Sequence, residues 1–267
     1  MAATRVAAIQ MVSGAELAPN LDAAARLIAA AAAAGARLVA LPENFYLIGR
    51  ADTDKLKLAE PEGRGPIQDF LAGAAARHKV WLVGGTAPLA AADPARVRSA
   101  CLVFDDAGRR VARYDKMHLF RFEQGGERYD ETRTLQPGEG PVALDAPFGR
   151  MALSICYDVR FPELYRGLGE FDMLFVPSAF TVPTGAAHWH ALLRARAIEN
   201  LAYVIAPAQG GEHPSGRRTY GHSLIADPWG DVLAERAEGE GVVIAEIDLE
   251  RVREVRRVLP ALANKRL

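Results

Sequence analysis

Short apolar runs alternate with stretches of helical spacing along the first half of the chain. Val6-Ala-Ala-Ile-Gln-Met-Val12 has strand length and a single strongly polar position. Asn20 can cap a helix through Leu21-Asp-Ala-Ala-Ala-Arg-Leu-Ile28 and its alanine tail, because alanine is the least costly residue in a helix. Gly35 suits the left-handed position just beyond that helix, and Arg37-Leu-Val-Ala-Leu41 reads as a strand stopped by Pro42. The unit then repeats, with a helix over 66–77 and a strand over 80–83. Ser99 to Phe104, an Asp-Asp-Ala-Gly turn and Arg109 to Tyr114 form a hairpin. Farther on, Met151 to Cys156 and Met173 to Val176 are strands flanking a short helix near Pro162 to Gly167. A helix over 189–199, an apolar run over 202–207, a hairpin from Ser223 to Ala234 and a strand over 242–247 follow. An amphipathic helix from Leu249 ends before Pro260.

Helix–strand alternation with interspersed hairpins predicts a layered α/β fold with a mixed sheet. No Pro-, Gly- or Ser-rich linker and no internal repeat divides the chain. One domain over residues 1–267 is expected, with a helical tail at about 249–267.

Composition narrows the function classes. With 32 Lys+Arg against 33 Asp+Glu, the net charge of −1 argues against an electrostatic nucleic-acid binder. The longest uncharged apolar stretch, between Arg26 and Arg37, is far short of the ~18 residues a membrane span needs. Two cysteines make no disulfide framework, and no leader pattern opens the chain, so a cytoplasmic protein without membrane partners is expected.

Candidate chemistry gathers at a few strand ends. Cys156 ends an apolar strand and precedes a polar, turn-forming stretch, where backbone N–H groups can stabilise an oxyanion. A buried structural cysteine is the competing reading there. Cys101, between Ala100 and Leu102, reads as core. A thiol nucleophile needs a base, and none of the six histidines has a convincing setting. Glu43, delivered just past a buried strand, is the alternative base, although a solvated carboxylate would look the same. Lys116 leaves a hairpin strand, and its ammonium could lower a thiol pKa or counter an oxyanion. P-loop, GxGxxG and GxSxG patterns are absent.

Taken with their flanks, these positions resemble the nitrilase or carbon–nitrogen hydrolase superfamily. The matching stretches are Leu41-Pro-Glu-Asn-Phe45, Tyr114-Asp-Lys-Met-His-Leu-Phe120 and Ser154-Ile-Cys-Tyr-Asp-Val-Arg-Phe-Pro-Glu-Leu164. The family's Glu, Lys and Cys fall on Glu43, Lys116 and Cys156, and its second glutamate on Glu131. Pro177-Ser-Ala-Phe180, Leu193 to Asn200 and Tyr220 to Gly230 resemble the Nit amidase branch, which holds deaminated glutathione amidases and, as near relatives, ω-amidases.

The resemblance implies a four-layer α-β-β-α sandwich, assembled as a homodimer or larger homo-oligomer. It also implies hydrolysis of a terminal carboxamide on a small carboxylate-bearing substrate, to acid plus ammonia, through a cysteine thioester. No metal and no organic cofactor is implied. Glu43 would be the base, and Lys116 with the Tyr157 N–H would hold the oxyanion. Glu131 would position Lys116, crowd Glu43 or bind substrate. Arg160 would grip the substrate carboxylate or else pair with Glu163. The stretch Arg121 to Tyr129 would wall the groove, with Gly125 and Gly126 letting it move.

Overall fold

Two sheets, packed face to face between helices, form four layers in the order α-β-β-α. The structure, a computed structural model, describes residues 3–124 and 126–266. Gly125 therefore lies outside the described residues, while Gly126 takes φ +85° in the turn of a hairpin pairing Arg121–Gln124 with Glu127–Asp130.

In the first sheet, Thr4–Gln10, Leu38–Ala40 and Trp81–Val83 run parallel. The hairpin strands Val97–Phe104 and Arg110–Asp115 extend this sheet. At the opposite edge, Gly241–Ile247 pairs antiparallel with Thr4–Gln10 and closes the chain on itself. The second sheet carries Gly149–Leu153, Met173–Phe175 and Tyr203–Ala206 in parallel, with antiparallel strands at both edges.

Period-two alternation assigns the strand faces. Ala7, Ile9, Val39 and Leu82 meet helices α1 (Leu17–Ala33) and α2 (Pro66–His78) through Leu27, Ile28, Ile67 and Leu71. Val6, Ala8, Leu38, Val83 and Cys101 point the other way, into the core between the sheets, against Met151, Phe175 and Leu224. Beyond the second sheet lie α3 (Pro162–Gly167) and α4 (Val182–Asn200), the latter burying Trp189, Leu193 and Ala197. The last helix, α5 (Leu249–Val258), buries Val252 and Val255. Full burial of each large aliphatic side chain contributes roughly 1.5–3 kcal/mol.

Three expectations are corrected. Asn20 is no cap, because α1 starts at Leu17 and takes Pro19 into its first turn, where proline's missing N–H is tolerated. Buried, Asn20 instead binds the backbone of Gly14 and Tyr46. Helix α4 starts seven residues before Trp189, because the turn-like Val182-Pro-Thr-Gly185 is its first turn. The stretch Arg121 to Tyr129, expected as a movable groove wall with no strand assigned to it, lies in the 121–130 hairpin. Among the described residues, no helix is long and apolar enough to cross a membrane.

Candidate active site

The loops after three strands meet at one end of the two sheets, where Glu43, Lys116, Glu131 and Cys156 come together. Glu43 follows Leu38–Ala40, Lys116 follows Arg110–Asp115, and Cys156 lies three residues past Gly149–Leu153. Strand ends of this kind are where α/β sheets gather their functional groups.

Lys116 is the centre of the cluster. Its Nζ donates to Glu43 Oε1 and to Glu131 Oε1, each at 2.8 Å, and its side chain is 1% exposed. Burial works against the ammonium, but Glu131 and Glu43 outweigh it and hold Lys116 well above its ordinary value. Burial likewise opposes the charge on Glu131, which Lys116 and Lys55 nonetheless hold below the usual carboxylate range. The second oxygen of Glu131 accepts from the Phe120 N–H at 2.7 Å. Glu131 thus fixes Lys116 and the loop that carries it.

Cys156 opens a 3₁₀ turn over Cys156–Arg160 with a left-handed φ of +49°. Non-glycine residues held in that region are strained and persist only where the surroundings enforce them. Here the Cys156 N–H donates to the Pro177 carbonyl at 2.9 Å. The first bond of the turn runs from Asp158 N to Ile155 O, which leaves the Tyr157 N–H outside the turn's own ladder. Burial, with the negative charge of Glu43, pushes the Cys156 thiol well above its ordinary value, against the pull of Lys116. The resting sulfur is a thiol. Cys101 lies in the inter-sheet core as expected, and burial pushes it up to about 12.

Hydrogen bonds behind these groups set their aim. Gln209, fully buried, donates to the Glu43 carbonyl at 3.1 Å and to Ser13 Oγ at 2.7 Å. Gly85 takes φ +58°, and a Cβ there would fall 2.2 Å from the Pro42 carbonyl, so only glycine lets the Glu43 loop sit this close. Asp158, also fully buried, joins the Cys156 turn to the Lys116 loop. It accepts from the Ile155 N–H at 2.8 Å, the His118 N–H at 3.0 Å and the Tyr114 hydroxyl at 2.7 Å. Residue type alone gave Asp158 and Gln209 no distinguishing signal, because most of their partners lie far away in sequence.

Arg160 borders a cleft lined by Cys156, Tyr157, Phe120, Phe180 and Thr181. It has no ion pair with Glu163 among the described residues; its Nη1 lies 3.3 Å from His188 Nδ1, and its guanidinium sits over the rings of Tyr157 and Phe180. The sequence alternative of a turn-fixing pair is corrected accordingly. No group of three or more His, Cys, Asp or Glu among the described residues is placed to hold a metal.

Comparisons with known proteins agree with this geometry. The sequence model of the family described as carbon–nitrogen hydrolase matches residues 5–257. A deaminated glutathione amidase from Synechocystis is 44% identical over 265 residues, covering 97% of each chain. The crystal structure of the Caenorhabditis elegans NitFhit protein superposes with a TM-score of 0.91 at 40% identity, covering all of this chain and 66% of that one. Saccharomyces cerevisiae Nit3, a member of branch 10 of the nitrilase superfamily, superposes with a TM-score of 0.86 at 32% identity, covering 97% of this chain and 94% of that one. With the four layers, the strand-end cluster and a family match over nearly its whole length, the chain belongs to the carbon–nitrogen hydrolase family.

Proposed function

We propose that this protein hydrolyses the amide bond of a small carboxylate-bearing substrate through a thioester on Cys156. The observation that carries the reading is the Glu43–Lys116–Glu131 cluster, with Glu43 and Lys116 buried, beside a strained cysteine whose thiol is held well above its ordinary value.

Glu43 accepts the thiol proton as sulfur attacks the carbonyl carbon. Lys116 and the Tyr157 N–H stabilise the oxyanion that develops. As the C–N bond breaks, Glu43 returns the proton to the leaving nitrogen, and an amine or ammonia departs. Glu43 then takes a proton from water, which attacks the thioester, and returns that proton to the departing sulfur, so the carboxylic acid and the thiol are released. Lys116 Nζ, 2.8 Å from Glu43 Oε1, holds that carboxyl group in place.

Deaminated glutathione is the substrate class that the relatives' names support. Its scissile amide joins a 2-oxo acid to cysteine, so the leaving group is a dipeptide amine. Ammonia is released only from primary amides such as α-ketoglutaramate, so the expected terminal carboxamide fits that alternative, and for deaminated glutathione it is corrected to a secondary amide. Arg160 is the proposed grip for the carboxylate of the acyl part.

The test is kcat/KM for deaminated glutathione, α-ketoglutaramate and a simple nitrile. Deaminated glutathione is expected to lead. A lead for α-ketoglutaramate would favour ω-amidase, and a preferred nitrile would move the protein to the nitrilases. Arg160→Ala should raise KM for carboxylate-bearing amides far more than for neutral ones; equal effects would return Arg160 to a structural role.

A cytoplasmic homodimer or larger homo-oligomer belongs to the same proposal. The exposed apolar side chains of Ile198, Trp229 and Leu233 support the assembly. A monomeric boundary in sedimentation velocity at micromolar concentration would overturn it.

A further inference from the structure

A second cavity opens beside the cleft, and nothing in the mechanism above uses it. Its volume is about 380 Å³, and it is bordered by Arg50, Lys55, Arg128 and Arg217, with Asp52 as the single carboxylate among its described lining residues. Asn44, the neighbour of Glu43, lines the cavity, as does Tyr129 of the hairpin over residues 121–130. Arg217 Nη2 donates to the Ala179 carbonyl at 2.8 Å, and Ala179 also lines the cleft at Cys156. Arg217 therefore ties the wall of the cavity to the wall of the cleft.

Among the described residues, three of these cations, exposed Arg50 and the half-buried Lys55 and Arg217, have no ion pair. Arg217 Nε is buried and has no hydrogen-bond partner among the described residues. The Arg217 guanidinium lies 5.1 Å from the centroid of the Tyr129 ring, which limits its freedom to turn away. Half-buried Lys55 makes no ion pair or hydrogen bond among the described residues. Burial pulls its ammonium below the ordinary value, against the attraction of Glu131 and Asp52. Exposed Arg128, by contrast, is 3.8 Å from Glu123. A buried, unpaired guanidinium nitrogen is costly unless a ligand completes it.

We propose that Arg217 and Lys55 form an anion subsite for a carboxylate carried on the leaving-group side of the scissile amide. The inference rests on the reading of the site as an amidase and adds a substrate requirement to it. Glu43 protonates the leaving nitrogen, and Asn44 beside it lines this cavity, so the departing half of the substrate faces Arg217 and Lys55. Arg160, which lines the cleft at Cys156 and not this cavity, is left for the acyl half. The preferred substrate then carries two carboxylates, one on each side of the amide. Deaminated glutathione meets that requirement through its terminal glycine, and α-ketoglutaramate does not.

The test compares deaminated glutathione with its analogue in which the glycine carboxylate is replaced by a neutral carboxamide. Wild type should prefer the acid. Arg217→Gln and Lys55→Gln should each lower kcat/KM for the acid about 10- to 100-fold, mainly through KM, the loss expected for a hydrogen bond to a charged group. Their effect on the neutral analogue should be several-fold smaller, so the preference collapses. Arg217→Lys should recover part of it, and added salt should shrink it in wild type. Exposed Arg218→Gln serves as the control and should leave the ratio intact. Lys55→Gln removes no hydrogen bond or ion pair among the described residues, so its result stands even if Arg217→Gln is unstable; any loss it causes through Glu131 falls on both substrates and leaves their ratio unchanged. Equal losses on both substrates, or a wild type that does not distinguish them, would overturn the subsite while leaving the amidase reading in place. A wild type that cleaves neither compound would overturn both.

Discussion

Cys156→Ala is expected to lose turnover by on the order of 10⁵- to 10⁶-fold, with the fold intact. The side chain is small and lies at the edge of the core, so its removal leaves little cavity. Cys101→Ala is the matched control, with activity kept and some stability lost, because Cys101 is wholly buried between the sheets. Alkylation supplies the pH dependence. Burial and the negative charge of Glu43 hold the Cys156 thiol well above its ordinary value, so its alkylation should speed up as pH rises above 7. Glu43→Gln removes that charge, so its alkylation profile should lie at lower pH than that of wild type. A Cys156→Ala protein with near-full turnover would remove the nucleophile from the mechanism altogether.

The second large effect is at the buried ion cluster. Glu43→Gln should lose about 10²- to 10⁴-fold in kcat, as expected when a general base is removed. Lys116→Met should lose about 10²- to 10³-fold through the oxyanion. It should also be less stable by about 3–5 kcal/mol, because buried Glu43 and half-buried Glu131 would be left without their shared cation. Glu43→Gln keeps the Lys116–Glu131 pair and should unfold much closer to wild type. The double variant should be little slower than the worse single, because the residues act as one unit. Strictly additive losses in a double-mutant cycle would separate one of them from the chemistry.

Much of the frame was legible in the sequence because it depends on local pattern. The parallel strands, the 97–115 hairpin, the short helix at Pro162 and the turn at Gly35 follow from apolar spacing and turn residues. The pairing of Gly241–Ile247 with Thr4–Gln10 was not legible, because joining strands over 230 residues apart leaves no mark on either one. The start of α4 was hidden by Pro183 and Gly185, which read as a turn although both fit there. Gly185 in fact gives room for the Tyr220 ring, which a Cβ would meet at 2.3 Å.

The site divides along the same line. Cys156 and Glu43 could be found from their places past apolar strands. Lys116 stood out less, and Glu131 was placed by family resemblance alone, since its role depends on a loop folding back onto Phe120 and Lys116. Arg217 and Lys55 carried no signal, as charged residues in polar stretches are most often solvated. Their meaning appears only when the cavity brings them together.

The central claim, a covalent thioester on Cys156, is tested most directly by partitioning with hydroxylamine. Several amides sharing one acyl group but differing in the leaving amine are hydrolysed in the presence of hydroxylamine, and the ratio of hydroxamate to acid is measured for each. A common acyl-enzyme gives the same ratio for every leaving group, because the amine has departed before either nucleophile attacks, and this constant ratio is the expected result. A ratio that changes with the leaving group would mean that water attacks the amide directly, and would contradict the thioester.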